Sequence, residues 1–209
     1  MPAKPQVSIL FPSQDADAAA MLGRAFADDP LIKAILPPIE DAAERARRMG
    51  LMFAVALAGQ RRGGQPVIGV LHEGRVGAAA IIEQVVQAPS AAAIVLHGLQ
   101  LVPALIKAGG LGGGRRAVAA LDVLSRNRPA APHLYLNVLG VEPALQRRHF
   151  GVAVLDWLRE QTALRADLLG VYLETATEAN VAYYSHVGYR VTGEIYPLGV
   201  RMWQMLQPR

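Results

Sequence analysis

The sequence predicts one α/β (α+β) domain in which helices flank a single mixed sheet. Apolar runs that are typical of buried strands alternate along the chain with segments whose apolar residues recur at helical spacing. The chain has 209 residues, which is enough for one full core, and 52% of them are hydrophobic, which argues against disorder. Neither a linker nor an internal repeat divides the sequence. We therefore expect residues 1–209 to form one domain.

The first part of the chain predicts a strand, two helices and a hairpin, in that order. Ser13 is the expected N-cap of the first helix, because Asp15 and Asp17 follow it in the first turn, where acidic side chains are favourable. A glycine turn between two apolar runs indicates the hairpin. The predicted elements are a strand over Val7–Leu10, a helix from Ser13 to Asp28-Asp29-Pro30, a helix over Glu40–Ala58 broken by Gly63-Gly64, and strands over Val67–Leu71 and Val76–Ile82 around Glu73-Gly74-Arg75.

The stretch Ala88–Asn127 is rich in alanine, leucine and glycine and has few polar groups. One interpretation is a peripheral membrane segment over Ala91–Leu105. His97 and the glycine run at 109–114 interrupt any apolar segment of about 20 residues, so a membrane span is disfavoured. The interpretation we favour is a helical insertion at about 88–127, with one helix, a glycine break and a second helix from Arg115.

The last part of the chain predicts alternating strands and helices. Glu142-Pro143 ends the first of these strands, because proline lacks the amide that a ladder needs. Gly188 ends the last helix as a left-handed cap. The predicted elements are a strand over Leu134–Val141, a helix that includes Val152, Leu155 and Leu158, a strand over Gly170–Thr175, a helix over Asn180–Val187, and an antiparallel pair over Tyr189–Ile195 and Arg201–Leu206 joined across Pro197 and Gly199.

Composition limits the chemistry and the partners that the chain can use. The sequence has no cysteine, which excludes disulfides, thiolate metal sites and a cysteine nucleophile; we predict no metal site. The formal net charge is +4, a mild excess that suits an anionic ligand better than nucleic acid. No positive region followed by an apolar run opens the sequence, so we expect no signal peptide and a cytoplasmic protein.

A basic segment follows the strand Leu134–Val141, with the sequence Gln146-Arg147-Arg148-His149-Phe150-Gly151. It precedes a helix, and a helix start offers unpaired amide donors and the positive end of a dipole, which together suit a phosphate. Arg147 and Arg148 add charge beside these donors, although such a pair can also be a solvated face. Neither the P-loop pattern nor G-x-G-x-x-G is present after this strand. We therefore predict a diphosphate site of another type.

This segment resembles motif A of the Gcn5-related N-acetyltransferases, which has the pattern V-x-P-x-x-Q/R-x-x-G-x-G/A. Val141, Pro143, Gln146 and Gly151 occupy its fixed positions, and His149 replaces the first glycine of the loop. A slipped register from Arg148 to Ala153 fits the loop alone but misplaces Val141 and Pro143. Because glycine lets a backbone approach a ligand closely, His149 either crowds the diphosphate or sits at negative φ and donates to it.

A second resemblance lies downstream. The sequence N-x-x-Y-Y-x-x-x-G-Y, from Asn180 to Tyr189, is similar to the family's helix after strand five. The two motifs cover roughly the last 75 residues in the right order. The resemblance implies a mixed, mostly antiparallel sheet and transfer of an acetyl group from acetyl-CoA, as co-substrate, to a primary amine of a small molecule or protein. It also implies that homodimers are frequent, so a homodimer is possible here.

The resemblance assigns roles to individual residues. A backbone amide at the end of the central strand stabilises the oxyanion, and Tyr184 is the general acid that protonates the leaving thiolate. Tyr183 is expected to pack in the core, and Asn180 contacts the cofactor or acts only as an N-cap. The expected cofactor-binding residues are Leu139, Gly140, Val141, Gln146, Arg147, Arg148, His149, Phe150, Gly151, Val152 and Asn180.

The general base has several candidates. Glu174 is the catalytic residue that we favour, because it lies on the strand next to the central one, but it is also suited to a structural acceptor role. The other candidates are Asp28, Asp29, Glu83, His133 and a chain of waters. The alternative to an enzyme is a non-catalytic relative of the same fold that binds an acyl-CoA, or that has lost it because of His149.

Overall fold

The computed structural model describes residues 5–86 and 110–209, which fold around one seven-stranded sheet. The strands are β1 (Val7–Ile9), β2 (Val67–His72), β3 (Arg75–Val85), β4 (His133–Val141), β5 (Gly170–Thr175), β6 (Arg190–Ile195) and β7 (Met202–Pro208). Their spatial order is β1-β2-β3-β4-β5-β7-β6. Only β4 and β5 are parallel, and every other neighbouring pair is antiparallel, so the predicted mixed, mostly antiparallel sheet is confirmed.

The helices lie between these strands in the predicted order. Those in the described ranges are α1 (Asp15–Ala25), α2 (Pro30–Ile35), α3 (Ala42–Arg62), α4 (residues 110–126), α5 (Phe150–Ala163) and α6 (Glu178–His186). Within residues 5–86 and 110–209, none of them combines the length and the apolar character that a membrane span requires.

Two predictions about the first helix are wrong. Ser13 is not its N-cap, because it lies in a short 3-10 turn over Pro12–Gln14 and Gln14 occupies the N-cap position of α1. The helix also stops at Ala25 instead of continuing to Pro30, and a separate helix, α2, begins there. Asp29 is the reason for this second start, because its side chain accepts a hydrogen bond from the backbone N–H of Ile32 at 3.0 Å.

The predicted start of the second insertion helix is also wrong. Residues 112–114 of the glycine run lie inside α4, which has already begun at residue 110. Packing explains why these glycines are helical: Ala117, Ala120 and Leu124 lie on one face of α4 and are buried against α2 and β7. The other part of the predicted insertion, residues 88–109, lies outside the described residues, and so does the membrane segment.

The sheet opens between its two parallel strands. Pairing of β4 with β5 is confined to Leu134 with Val171 and Tyr135 with Tyr172, although β4 continues to Val141. A bulge accompanies the opening, because Ile81 pairs with Val138 and Ile82 with Leu136, which leaves Asn137 as an extra residue in β4. The edge of β4 that faces β5 therefore presents backbone N–H and C=O groups without strand partners in the described sheet.

Each face of the sheet has its own core. One core, under α1 and α3, contains Met21, Leu22, Met49 and Leu57. The other, under α5, contains Leu155, Leu158, Val171 and Leu173 and is extended by side chains of α6. Successive residues of a strand point to opposite faces, so Tyr172 and Glu174 face the side of α1–α4, whereas Leu173 faces α5. The opening between β4 and β5 thus connects two differently lined sides of the sheet.

Candidate active site

A cavity of about 930 Å³ occupies the opening between β4 and β5. Side chains of α1–α4 line it on one side of the sheet, and the start of α5 together with α6 lines it on the other. Its volume falls within the usual range for small-molecule sites. Every predicted cofactor-binding residue except Arg148 lines it, as do Tyr184 and Glu174. The folding of the chain therefore brings together residues that are up to 45 positions apart in sequence, from Leu139 to Tyr184.

The loop before α5 holds an unusual backbone conformation. Arg147 has a φ of 62° and His149 a φ of 64°, both in the left-handed region that favours glycine. His149 therefore takes the conformation of the motif glycine that it replaces, and the expectation of a negative φ is wrong. This agrees with the preferred register of the motif, in which position 149, and not position 151 as in the slipped register, is the first glycine position. The His149 side chain is exposed and makes no capping hydrogen bond to α5.

The start of α5 has backbone N–H groups without hydrogen-bond partners in the helix, and two arginine side chains lie beside them. The backbone N–H groups of Phe150, Gly151 and Val152 precede the first intrahelical bond, which runs from Ala153 N to His149 O at 3.0 Å. The guanidinium groups of Arg147 and Arg148 are exposed and have no ion-pair partner among the described residues. An anion at this helix start would therefore meet both amide donors and two unpaired cations.

The polypeptide that leads into this loop is firmly held. Glu142 accepts hydrogen bonds from the Arg24 guanidinium of α1, the shortest being 2.6 Å. The backbone N–H of Glu142 donates to Gly77 O at 2.9 Å. Phe150 is buried and packs against Gly77 and, edge-on, against His72, with ring centroids 5.5 Å apart. Phe150 thus contributes its backbone to the loop, while its side chain is a packing anchor.

Gly151 lies where α5 and α6 come into close contact. A Cβ at this position would lie 2.9 Å from the Tyr183 hydroxyl oxygen of α6. Gly151 therefore allows α6 to approach α5 closely. Tyr183 itself packs beside Tyr184, with ring centroids 5.3 Å apart, in keeping with the packing role expected for it.

Tyr184 lies in an aromatic cluster on the α5 side of the sheet. Its ring is 5.3 Å from that of Tyr183 and 5.4 Å from that of Tyr189. Burial raises the pKa of Tyr184 above its ordinary value near ~10, so its hydroxyl stays protonated at neutral pH. That hydroxyl has no hydrogen-bond partner among the described residues, whereas Tyr172 and Tyr196 each donate to a glutamate. Tyr184 is thus a protonated donor that borders the cavity.

Asn180 lies in the first turn of α6 and is not its N-cap. Thr177 is the N-cap, and its hydroxyl accepts a hydrogen bond from the backbone N–H of Asn180 at 3.2 Å. The Asn180 side chain donates to the Thr175 hydroxyl at the end of β5 at 3.1 Å. The capping interpretation of Asn180 is therefore wrong, and Asn180 is one of the residues that line the cavity.

Glu174 lies in a buried polar cluster on the opposite side of the sheet. The Tyr172 hydroxyl donates to the Glu174 carboxylate at 2.9 Å and accepts from the Gln204 amide at 2.7 Å. Burial raises the pKa of Glu174, whereas the positive charge of Arg128 and hydrogen bonds from Tyr135 and Tyr172 oppose the rise. Glu174 thus combines a structural hydrogen bond with a raised pKa, which suits a proton acceptor.

Arg128 is the cation of this cluster. Its guanidinium lies 3.8 Å from the centroid of the Tyr135 ring and forms an ion pair with Glu83 at 3.5 Å. Glu83 also accepts a hydrogen bond from Asn137, the bulge residue of β4, at 2.9 Å. Arg128, Tyr135 and Tyr172 were not predicted from the sequence, because none belongs to a motif and only the sheet brings them together.

The other base candidates make structural contacts or lie outside the cavity lining, although Asp28 and Asp29 line the cavity as Glu174 does. Asp28 forms ion pairs with Lys33 at 2.7 Å and Arg45 at 3.1 Å, and Asp29 caps α2. Glu83 pairs with Arg128 and does not line the cavity. His133 is fully buried at the start of β4, away from the cavity wall, with Nδ1 2.8 Å from Ala131 O. Among the candidates, Glu174 is the cavity-lining carboxylate on the strand beside β4.

Comparison with solved structures places the fold. An acetyltransferase from Corynebacterium glutamicum, described as histone acetyltransferase HPA2 and related acetyltransferase, is 18% identical, with a TM-score of 0.70 over 99% of this chain and 97% of that chain. An agmatine N-acetyltransferase mutant in its apo form is 16% identical, with a TM-score of 0.62 over 98% of both chains. The fold is that of the Gcn5-related N-acetyltransferases.

A third structure with this acetyltransferase fold contains a ligand. The NatB acetyltransferase complex bound to CoA and MES is 11% identical, with a TM-score of 0.52 over 97% of this chain and 98% of that chain. These identities are low, and no protein-family model matches the sequence. The agmatine acetyltransferase and the HPA2-related protein are named for different acceptors, a small molecule and a histone. The acceptor of this chain therefore has to be argued from its own cavity.

Proposed function

We propose that this protein is an acetyl-CoA-dependent N-acetyltransferase that transfers the acetyl group to a primary amine by direct attack. One arrangement supports the proposal: a single cavity combines an unpaired β4 edge, an arginine-bearing helix start and a protonated tyrosine. The solved acetyltransferases of this fold, one of them bound to CoA, agree with it. An acceptor amine reaches the cavity from the side of α1–α4.

The residues of the α5 side fit coenzyme A. The diphosphate would be held by the backbone N–H groups of Phe150, Gly151 and Val152, with Arg147 and Arg148 adding charge. Arg147 and His149 adopt the left-handed backbone conformation that the motif glycine would supply. The loop therefore keeps its conformation although His149 replaces that glycine. The unpaired edge of β4 at Leu139–Val141 suits an extended amide-bearing arm, which would bind as an added strand.

Two residues of this chain would then serve the chemistry. A backbone N–H of the open β4 edge, in place before the reaction, would stabilise negative charge on the acyl oxygen. Tyr184 would donate its proton to the departing sulfur, because burial keeps it protonated at neutral pH. Glu174, on the other side of the opening, would accept a proton from the attacking ammonium.

Replacement of Tyr184 tests the proposal. With acetyl-CoA and a panel of amines, the wild-type protein is expected to release free thiol in an amine-dependent reaction. Tyr184→Phe is expected to lower kcat by about 10²-fold or more, the usual contribution of a general acid, with little change in the Kd of acetyl-CoA. Tyr183→Phe is the matched control, because it removes the hydroxyl of the neighbouring tyrosine, which lies against Gly151 at the same cavity wall.

Two results would contradict parts of this proposal. If Tyr184→Phe lowers kcat and acetyl-CoA affinity equally, Tyr184 is not the general acid, but the acetyltransferase activity itself remains supported. Binding of acetyl-CoA without turnover of any amine would instead support the non-catalytic relative that holds an acyl-CoA.

A further inference from the structure

Gln204 of β7 lies in the sheet between Glu174 of β5 and Gly193 of β6, because the strand register places it opposite both of them. Its side-chain nitrogen, Nε2, donates to the backbone oxygen of Asn127 at 2.6 Å and to the hydroxyl oxygen of Tyr172 at 2.7 Å. Tyr172 in turn donates to Glu174 Oε1 at 2.9 Å. Gln204 is thus hydrogen-bonded to the partner of the proposed general base.

The chemistry of these groups fixes the direction of each hydrogen bond. A backbone carbonyl can only accept, so the Gln204 atom that faces Asn127 O has to be the amide nitrogen. The same nitrogen has a second hydrogen, which it donates to the Tyr172 oxygen. A phenol has a single hydrogen. Because Tyr172 accepts from Gln204, it directs that hydrogen to the carboxylate of Glu174.

The neighbouring strand β6 makes room for the Gln204 amide. A bulge leaves Thr192 as an extra residue in β6, and the Thr192 hydroxyl donates to Gln204 O at 3.3 Å. A Cβ at Gly193 would lie 2.6 Å from Gln204 Oε1. A side chain at position 193 would therefore displace the amide from the position in which it donates to Tyr172.

We propose that Gln204 is a positioning residue of the reaction, which acts through Tyr172 by holding its hydroxyl as a hydrogen-bond donor to Glu174. This inference rests on the proposed acetyltransferase function, in which Glu174 accepts a proton from the attacking ammonium. A donor that stays in place stabilises the carboxylate, which is the form that acts as a base, more than it stabilises the carboxylic acid.

Other titratable and charged groups also act on Glu174. They are Tyr135 on β4, Arg128 after α4 and Glu83 on β3, which is paired with Arg128. Substitution of Gln204 leaves all three in place. A change in the pH dependence of a Gln204 variant therefore reports on the hydroxyl of Tyr172.

Gln204→Met tests this role, because methionine keeps the length of the side chain but cannot donate. With acetyl-CoA and the best acetylated amine of the panel used for Tyr184→Phe, the acidic limb of the kcat/KM profile is expected to move to higher pH by about 0.5–1 unit. This is part of what a hydrogen bond to a charged group contributes. Gln207→Met is the matched control and is expected to leave the limb in place, because Gln207 donates to Val187 O on the other face of β7.

Tyr172→Phe determines whether Gln204 acts through Tyr172. It removes the donor itself, so the acidic limb is expected to move by about one pH unit or more. In this background Gln204→Met is expected to cause no further displacement, since the two residues act as a unit. Melting temperatures of all variants establish that they are folded.

Each other outcome has a defined meaning. An acidic limb that Gln204→Met leaves in place overturns the inference, and so does a displacement by Gln204→Met that is equal with and without the Tyr172 hydroxyl. Both results leave the acetyltransferase function standing. If the wild-type protein acetylates no amine, the proposed function fails and the inference fails with it.

Discussion

Glu174 is buried on a strand next to the opening of the sheet, where the charge around it decides its protonation. The groups that face it are Tyr172 on its own strand, Tyr135 on β4, Gln204 on β7, Arg128 after α4 and, through Arg128, Glu83 on β3. Arg128 is the cation of this set. Its positive charge favours the ionised carboxylate and opposes the effect of burial.

The pH dependence of the reaction follows from this arrangement. The base form of Glu174 is the carboxylate, so activity is expected to fall as pH drops through its raised pKa. Arg128→Gln removes the opposing charge, raises that pKa further and is expected to move the acidic limb of the kcat/KM profile to higher pH. Arg128→Lys, which keeps a charge, is expected to move it less.

Arg126→Gln is the control for this pH shift. Arg126 is exposed near the end of α4 and pairs with Asp122 at 2.8 Å, away from Glu174. The pH profile of kcat/KM for Arg126→Gln is expected to match that of the wild-type protein. An acidic limb that stays in place in Arg128→Gln, measured with the same amine, would remove Glu174 as the base.

At the level of elements, α1 and α3 cross with their backbones in contact. A Cβ on Gly23 would collide with Ala46 O and would lie 2.7 Å from Gly50 N. Both obstacles are backbone atoms of α3, which cannot rotate away as a side chain can. This close contact positions Leu22 of α1 and Phe26, which directly follows α1, beneath Gly140 of the open strand.

Two glycine-to-alanine substitutions distinguish the effect of the close contact between α1 and α3 on stability from the effect of helix propensity. Gly23→Ala is expected to lower the free energy of unfolding by about 1–3 kcal/mol, the usual range for overpacking. Gly59→Ala, within α3, meets no atom within 4 Å and is expected to raise it by about 0.5–1 kcal/mol, because alanine is the better helix former. Urea titrations of both variants measure the difference. Equal effects of the two substitutions would contradict the tight crossing.

For the whole molecule, the excess positive charge and the helix start of α5 predict salt-sensitive binding of acetyl-CoA. At about 100 times its Kd, the ligand is expected to stabilise the fold by about 2.7 kcal/mol. For a domain of this size that corresponds to a rise in Tm of about 5–10 °C. The Kd is expected to increase between about 0.05 M and 0.5 M salt, because salt screens exposed charges.

The double substitution of Arg147 and Arg148 by glutamine tests whether these two side chains cause the salt dependence of acetyl-CoA binding. It is expected to weaken binding and to flatten the salt dependence. Arg62→Gln removes an exposed charge from the end of α3, outside the cavity lining, and is expected to change neither. A salt dependence that persists in the double variant would place the anion elsewhere.

The order of the elements and the two motif regions could be predicted from the sequence. Strong apolar periodicity and glycine turns are local signals, so β5 was predicted with its observed bounds and the hairpin of β2 and β3 at its observed turn. The fold class followed from the same patterns and from the resemblance of the segments around Arg147 and Tyr184. Helix boundaries were less accurate, as at Ser13 and in α4, because side-chain caps and tertiary packing override propensity.

The shape of the cavity depends on long-range strand pairing and could not be predicted from the sequence. The opening of the sheet depends on a bulge at Asn137 and on where pairing with β5 stops, and neither has a signature in the local sequence. Arg128, Tyr135 and Glu174 meet because β4 and β5 are neighbours in space, so their spacing along the chain reveals nothing of their contact. The same reason applies to α4, whose apolar residues Ala117, Ala120, Leu121 and Leu124 line the cavity only because the fold places this helix beside it.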